Sequence, residues 1–228
     1  RDQMATMRLS PGRWLNAQMH LLSWLGEELH GESFLAEQRP QGRSVVVKVL
    51  YAEACRTPSY IERFRHAAER AMLLSHKNVA AVHAFGVLSA SPHNESSGFL
   101  DGLPPPSYTP SYFPDGTMQS GAGIPWIAVD PVEGPDLRSY LSEGVTAETL
   151  APLLVPVSDV LDRAASLGLT HGEVSPANLL LVSEPPAAPR VVLIDMGVAK
   201  VLASDLLDLP ATPGALCYRS PEQCAEGT

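Results

Sequence analysis

The chain has 228 residues, 45% of them hydrophobic and 18% charged, which is enough for one sizeable domain or two small ones without a disulfide or metal staple. Its net charge of −9 comes from interspersed acids and bases, which excludes a nucleic-acid surface or adhesion to anionic lipid as its main work. Cys55, Cys217 and Cys224 lack metal-ligand or disulfide-framework spacing, no run reaches the ~18 uncharged apolar residues of a membrane helix, and no signal peptide opens the chain; reduced thiols and a cytoplasmic setting are expected.

In chain order, residues 1–18 are expected to be an N-terminal extension. From 19 to 51 short apolar stretches alternate with turn residues, the pattern of an antiparallel meander, and Ser44–Leu50 (SVVVKVL) is β-branched enough to be its clearest strand. After Pro58, the residues Ile61, Phe64, Ala68, Ala71, Met72 and Leu74 fall near helical spacing and predict a helix over Ser59–Ser75. Two further strands are expected at Val79–Leu88 and Pro125–Val132. Between them, residues 89–123 are rich in Pro, Ser and Gly, include Pro104–Pro105–Pro106, and have no periodicity, so an extended or disordered insertion is expected. Phe99, Tyr108, Tyr112 and Phe113 leave a polyproline-type docking peptide open as the alternative.

From Thr146 to Leu167 the positions Leu150, Leu153, Leu154, Val157, Leu161 and Ala164 recur at helical spacing, which predicts a buried core helix with Thr146 as N-cap and Glu148 in the first turn. Pro156 lies inside it and is expected to kink or split it. Leu179–Val182 and Val191–Ile194, joined by the turn-rich Glu184–Pro189, predict a small hairpin.

Four short elements stand in a fixed order: Val45–Val46–Val47–Lys48 on a strand, His171–Gly172–Glu173–Val174–Ser175–Pro176–Ala177–Asn178 after the long helix, Leu193–Ile194–Asp195–Met196–Gly197 after the hairpin, and Tyr218–Arg219–Ser220–Pro221–Glu222 near the end. This series resembles the protein kinases, with their VAIK, HRDxKPxN, DFG and APE motifs, and is closest in flavour to the bacterial serine/threonine kinases. The resemblance implies an α+β, protein kinase-like bilobal fold. Its N-lobe, 19–132, would carry a five-stranded antiparallel sheet, one helix and the 89–123 insertion. Its C-lobe, 133–228, would be mainly helical and incomplete, stopping just after the APE-like motif and leaving apolar surface uncovered. Arg1 and Thr228 as end residues suggest a piece of a longer polypeptide, with an anchor outside it left open.

The resemblance also assigns roles. Lys48 takes the place of the phosphate-binding lysine, Asp195 and Asn178 those of the two metal ligands, and Gly26 and Gly31 belong to the glycine-rich loop. Val129, Asp130, Val132 and Leu180 fall where the family binds ATP. ATP and Mg²⁺ are thus the implied cofactors, held weakly, and protein partners are expected, with no nucleic acid.

Several positions depart from the family pattern. The loop reads Gly26–Glu27–Glu28–Leu29–His30–Gly31, so its middle glycine is Glu28; a carboxylate there would repel phosphate by up to about 4 kcal/mol at ~4 Å and an effective dielectric of ~20. Ser33 and Val46 stand where valine and alanine usually line the base. Ala67 takes the place of the helix glutamate that orients the lysine, and Glu69, two positions on, faces elsewhere on a helix as a solvated charge. Glu173 replaces the aspartate that aligns the acceptor hydroxyl; an extra methylene misplaces the carboxylate by ~1 Å, which can cost on the order of a hundredfold. Ser175 replaces the lysine that neutralises the transferring phosphoryl group, a loss of about 3–4 kcal/mol by analogy with deleted oxyanion donors. Gly172 stands in place of the arginine that would hold a phosphorylated activation loop, so Ser204 and Thr212 read as ordinary loop residues, and Ala215 stands in place of the threonine that packs under the substrate peptide. Met196 keeps an apolar plug.

These departures favour a pseudokinase that acts as a protein-interaction or regulatory module. The alternatives are a low-activity kinase passing the ATP γ-phosphate to protein Ser/Thr with Glu173 as base, and a kinase scaffold running other transfer chemistry.

Overall fold

The computed structural model describes residues 9–28, 31–50, 58–88, 124–142, 144–196, 215–218 and 220–221. The 89–123 insertion, Cys55, Gly197, Ser204, Thr212, Arg219, Glu222, Cys224 and the side chain of Glu28 lie outside them. The chain divides into two compact units, residues 1–65 with 83–131, and residues 66–82 with 132–228.

The first unit is built on a six-stranded sheet in the order β1-β2-β3-β4-β6-β5, made of β1 Trp14–Asn16, β2 Met19–Glu28, β3 Gly31–Gln38, β4 Arg43–Leu50, β5 Val82–Leu88 and β6 Ile124–Val129. One more strand is present than the five expected, because Trp14–Asn16, within the expected extension, pairs antiparallel with β2. The turn that makes this pairing is local: the Asn16 side chain accepts from the Gln18 amide at 2.9 Å, an Asx turn that reverses the chain in two residues.

Register decides which side chains share a face. Phe34 lies opposite Val47 and Ala36 opposite Val45, while Val47 and Val49 lie opposite Ala128 and Trp126. With Leu9, Leu15, Met19 and Leu21 they form a buried apolar cluster, in which Phe34, Ala36, Val45, Val47 and Ala128 are 0% exposed. Full burial contributes about 1.5–3 kcal/mol for each of the larger of these side chains. The opposite face presents Ser33, Val46, Lys48, Ile127 and Val129. The strand expected through Val132 ends at Val129, two residues before Pro131, which has no N–H to give a ladder.

The helix α1, Pro58–Leu73, buries Tyr60, Ile61, Phe64, Ala68 and Ala71, and Phe64 meets Phe85 edge-on at 6.3 Å. Met72, expected on the apolar face, is instead exposed. Beyond the helix, residues 79–81 do not continue β5 as expected. Val79 bridges to Leu193, and the Ala80 amide donates to the Leu193 carbonyl at 2.9 Å, which carries this stretch into the second unit.

In the second unit α2 is Leu137–Leu141, capped by Asp136, whose carboxylate accepts from the Ser139 amide at 2.8 Å. The helix α3, Ala147–Ser166, has Thr146 as its N-cap and runs unbroken through Pro152 and Pro156. Each proline removes only one i→i−4 bond, and the carbonyls deprived, those of Glu148 and Pro152, belong to exposed residues that water can serve. Only the stripe Val157, Val160, Ala164 is buried, and Val155 is exposed, so α3 is amphipathic rather than the wholly buried helix expected. Leu179–Val182 (β7) and Arg190–Leu193 (β8) form the expected antiparallel hairpin.

The ends of α1 and α3 exchange arginines. Arg70 donates to the Gly168 carbonyl at 2.9 Å, just past the end of α3, and Arg163 donates to the Ser75 carbonyl at 3.0 Å, just past the end of α1. Each guanidinium thus serves one main-chain carbonyl just beyond the other helix, near that helix's negative end. Among the described residues no helix is long and apolar enough to cross a membrane.

Candidate functional site

The first unit supplies Gly26, Gly31, Lys48, Val129 and Asp130. Gly26 lies opposite Ser33, Ser33 opposite Lys48 and Lys48 opposite Ile127, one cross-strand row on the face away from the apolar cluster. Val46 and Val129 are partners in the next same-face row. Ser33 is 5% exposed, so the polar side chain noted in the sequence is a buried one. A Cβ at Gly31 would collide with the carbonyl oxygen of Val49, so glycine is required there by the close approach of β3 and β4, whatever else it does. Ala67 is half-buried on α1, and Glu69 pairs with His66 at 3.5 Å on the surface, an arrangement worth little.

Asp130, just after β6, accepts from His83 Nε2 at 2.5 Å, and Arg43 lies 2.5 Å from His83 Nδ1. The sequence reading did not single out His83; a histidine in a strand gives no pattern that separates it from its neighbours.

The second unit supplies Val132, Glu173, Asn178, Leu180 and Asp195. Here the motif residues are tied to one another. The buried His171 contacts the Ile194 carbonyl through Nε2 at 2.7 Å and accepts from the Glu173 amide at Nδ1, 3.1 Å away. An acceptor at Nδ1 places the proton on Nε2, so the hydrogen-bond network assigns the neutral Nε2–H tautomer. Burial pushes the imidazole below its ordinary pKa, with the Ile194 carbonyl and the Asp195 charge acting the other way. Asn178 donates Nδ2 to the Glu173 carbonyl at 2.8 Å, and its own carbonyl accepts from the Ile194 amide at 3.0 Å. That bond turns the amide so that its oxygen Oδ1 is left as the acceptor.

Asp195 follows directly, with φ at +63°, the left-handed region. A non-glycine residue held there costs about 1–3 kcal/mol and is over-represented at functional sites. Leu180 lies on β7, beside the segment that follows Val132. Leu181 donates to the Pro135 carbonyl at 2.9 Å, and a Cβ at Gly134 would strike the Leu181 oxygen, so glycine is obligatory at that crossing.

Behind the hairpin, Asn78 is 1% exposed and donates Nδ2 to the Val191 carbonyl at 2.7 Å, while its own carbonyl accepts from the Leu193 amide. The sequence reading passed over Asn78; its position in an otherwise apolar stretch, Asn78–Val82, was the signal available.

By its fold and the motif residues that each unit carries, the chain is a protein kinase-like domain. No protein-family model matches it. Its homologues among curated proteins are bacterial serine/threonine protein kinases. It is 28% identical over 197 residues to the probable serine/threonine-protein kinase PknB of Corynebacterium glutamicum, covering 84% of this chain and 25% of that protein. It is 32% identical over 209 residues to the probable serine/threonine-protein kinase PkwA of Thermomonospora curvata, covering 89% of this chain and 22% of that protein. The chain therefore spans about a quarter of the length of the curated relatives it matches. Among solved structures, the kinase domain of PknI from Mycobacterium tuberculosis matches with a TM-score of 0.62 at 24% identity, covering 85% of this chain and 64% of the other. At that identity the match establishes the fold.

Proposed function

We propose that this kinase-like domain is a pseudokinase, a protein-interaction or regulatory module that holds Mg²⁺–ATP weakly or not at all. The observation that carries this reading is the departure, in one chain, of four groups that phosphoryl transfer uses: Glu173 for the base, Ser175 for the charge-neutralising lysine, Ala67 for the orienting glutamate and Glu28 for the middle glycine. Transfer is mostly positioning and electrostatics, so losing these together multiplies. The collision that any side chain at Gly31 would make gives that glycine a reason to be present that owes nothing to phosphate.

What remains is a site for the nucleotide rather than for its chemistry. In this reading Lys48, Gly26 and Gly31 face the phosphates, Val129, Asp130, Val132 and Leu180 the base, and Asn178 and Asp195 the metal. The Asn178 amide, with Nδ2 spent on Glu173, has its oxygen to offer, and an amide oxygen beside a carboxylate is the hard donor set that Mg²⁺ takes. When bound, the metal would neutralise phosphate charge.

A second reading, a slow serine/threonine kinase with Glu173 as base, is favoured by the same network, because the main chain of Glu173 is held on both sides, by His171 and by Asn178.

Thermal stabilisation by ATP, with and without Mg²⁺, tests the nucleotide site. A ligand at a hundredfold excess over Kd raises stability by about 2.7 kcal/mol. A small shift that needs Mg²⁺ and disappears in Asp195→Ala is expected. Transfer of labelled γ-phosphate to protein, abolished in Lys48→Ala and Asp195→Ala, would overturn the pseudokinase reading in favour of the second.

A further inference from the structure

Arg43, His83 and Asp130 form a side-chain relay in the first unit whose direction is fixed by chemistry. A guanidinium donates and never accepts, so at 2.5 Å from Arg43 Nη1 the Nδ1 atom of His83 must be the acceptor. The ring is then neutral with its proton on Nε2, and that proton is donated to Asp130 Oδ1, also at 2.5 Å. The His83 side chain is 15% exposed and that of Asp130 43%, so the bond lies at the boundary between sheet and solvent rather than wholly in water. Arg43 begins β4 and His83 lies near the start of β5.

The place of the relay in the sheet gives it a job. The β4–β6 ladder ends with Val46 opposite Val129, and Pro131 cannot extend it, so Asp130 is the point at which main-chain pairing stops. Side-chain bonds to β5, and through it to β4, take over where the ladder ends. We propose that His83 is a positioning residue for the base-contacting segment Val129–Asp130 of a purine nucleotide site, held in one tautomer by Arg43 so that it presents a donor to Asp130. The nucleotide part of this proposal rests on the function proposed above; the positioning part does not.

Three variants separate the roles. His83→Phe keeps the ring bulk and removes both bonds. His83→Gln restores an acceptor and a donor on one side chain, and Arg43→Leu breaks the relay at its exposed end. Two quantities are measured, amide hydrogen exchange over residues 127–130 without nucleotide and the Kd for a fluorescent ATP analogue with Mg²⁺. In His83→Phe exchange at 127–130 should rise by about tenfold or more and the analogue bind about tenfold more weakly, the loss expected for hydrogen bonds to a charged group. His83→Gln should recover most of both.

Nitrogen NMR of the wild-type ring should show Nε2 protonated and Nδ1 as acceptor. Unchanged exchange in His83→Phe, a His83→Gln variant as impaired as His83→Phe, or an Nδ1–H tautomer would each overturn the proposal. Should the wild-type protein bind no ATP analogue, the nucleotide reading fails, and the exchange and tautomer results still decide whether His83 positions the segment. If His83→Phe does not fold, Arg43→Leu carries the same exchange comparison, and wild-type exchange in Arg43→Leu counts against the relay.

Discussion

The two units place their motif residues by different means. In the first, Ser33, Val46, Lys48 and Val129 are set by pleat and register, and any side chain of suitable size at those positions would point the same way. In the second, His171, Glu173, Asn178 and Ile194 are set by bonds that close on one another. The network grips Glu173 by its amide and carbonyl, main-chain groups that every residue but proline supplies. Ser175 makes no side-chain cap for the short 3-10 turn Pro176–Asn178 that it precedes. Motif positions that also hold the chain together, His171, Asn178 and Gly31, keep the residue type of the kinase pattern. Among the departures, Ser175 makes no side-chain cap and Ala67 is half-buried, while Ser33 is buried in the sheet. Residue types kept for structural reasons are therefore weak evidence of activity, and the departures are the more informative signal.

This contrast can be broken or sharpened by substitution. The largest effect should come from the apolar face of the sheet: Phe34→Ala, deleting a fully buried ring, should cost about 3–5 kcal/mol in urea unfolding followed by fluorescence. Gly31→Ala should cost about 1–3 kcal/mol in nucleotide-free protein, from overpacking against Val49. A loss seen only as weaker ATP binding would mean that the glycine serves the phosphates after all. Asn178→Ala should also cost about 1–3 kcal/mol without metal, because it leaves the Glu173 carbonyl without its donor. No change in the metal-free melting temperature would show that the network does not hold the loop.

The pH dependence has a definite sign. His171 has its pKa lowered in the folded state, so the unfolded chain binds more protons below its ordinary value of about 6.5. Stability should be at its plateau above that pH and fall as the pH drops from there toward the depressed folded value. His171→Gln should flatten this part of a melting-temperature profile. The smallest expected effect on stability is that of Ser175→Lys, within about 0.5 kcal/mol, because Ser175 makes no side-chain cap for the turn it precedes. A rise in phosphotransfer on the order of a hundredfold in Glu173→Asp combined with Ser175→Lys would show that the motif residues kept in type need only those two groups.

Much of this was legible in the sequence because it is local. The β-branched run at 44–50, the helical spacing around Phe64, the Thr146 cap and the hairpin at 179–193 each follow from chemistry within a few residues of chain, and the order of the four motifs carried the fold. What was misread depended on longer reach. The strand at Trp14–Asn16 gains its meaning only by pairing with β2, and the half-burial of α3 depends on what packs against it. Asn78 and Val191, and His83 with Arg43 and Asp130, meet across separations that leave no pattern in the sequence.

By itself, then, the sequence determined residue types and their spacing, and with them a kinase-like domain and the positions at which its chemistry departs from the kinase pattern. Only the tertiary structure decided which of those residues have a second duty: Gly31 against a neighbouring carbonyl, and Asn178 and His171 within a closed set of bonds. The physical reason is that spacing encodes which face or turn a residue occupies, whereas its partners are set by register and packing between segments far apart in the chain.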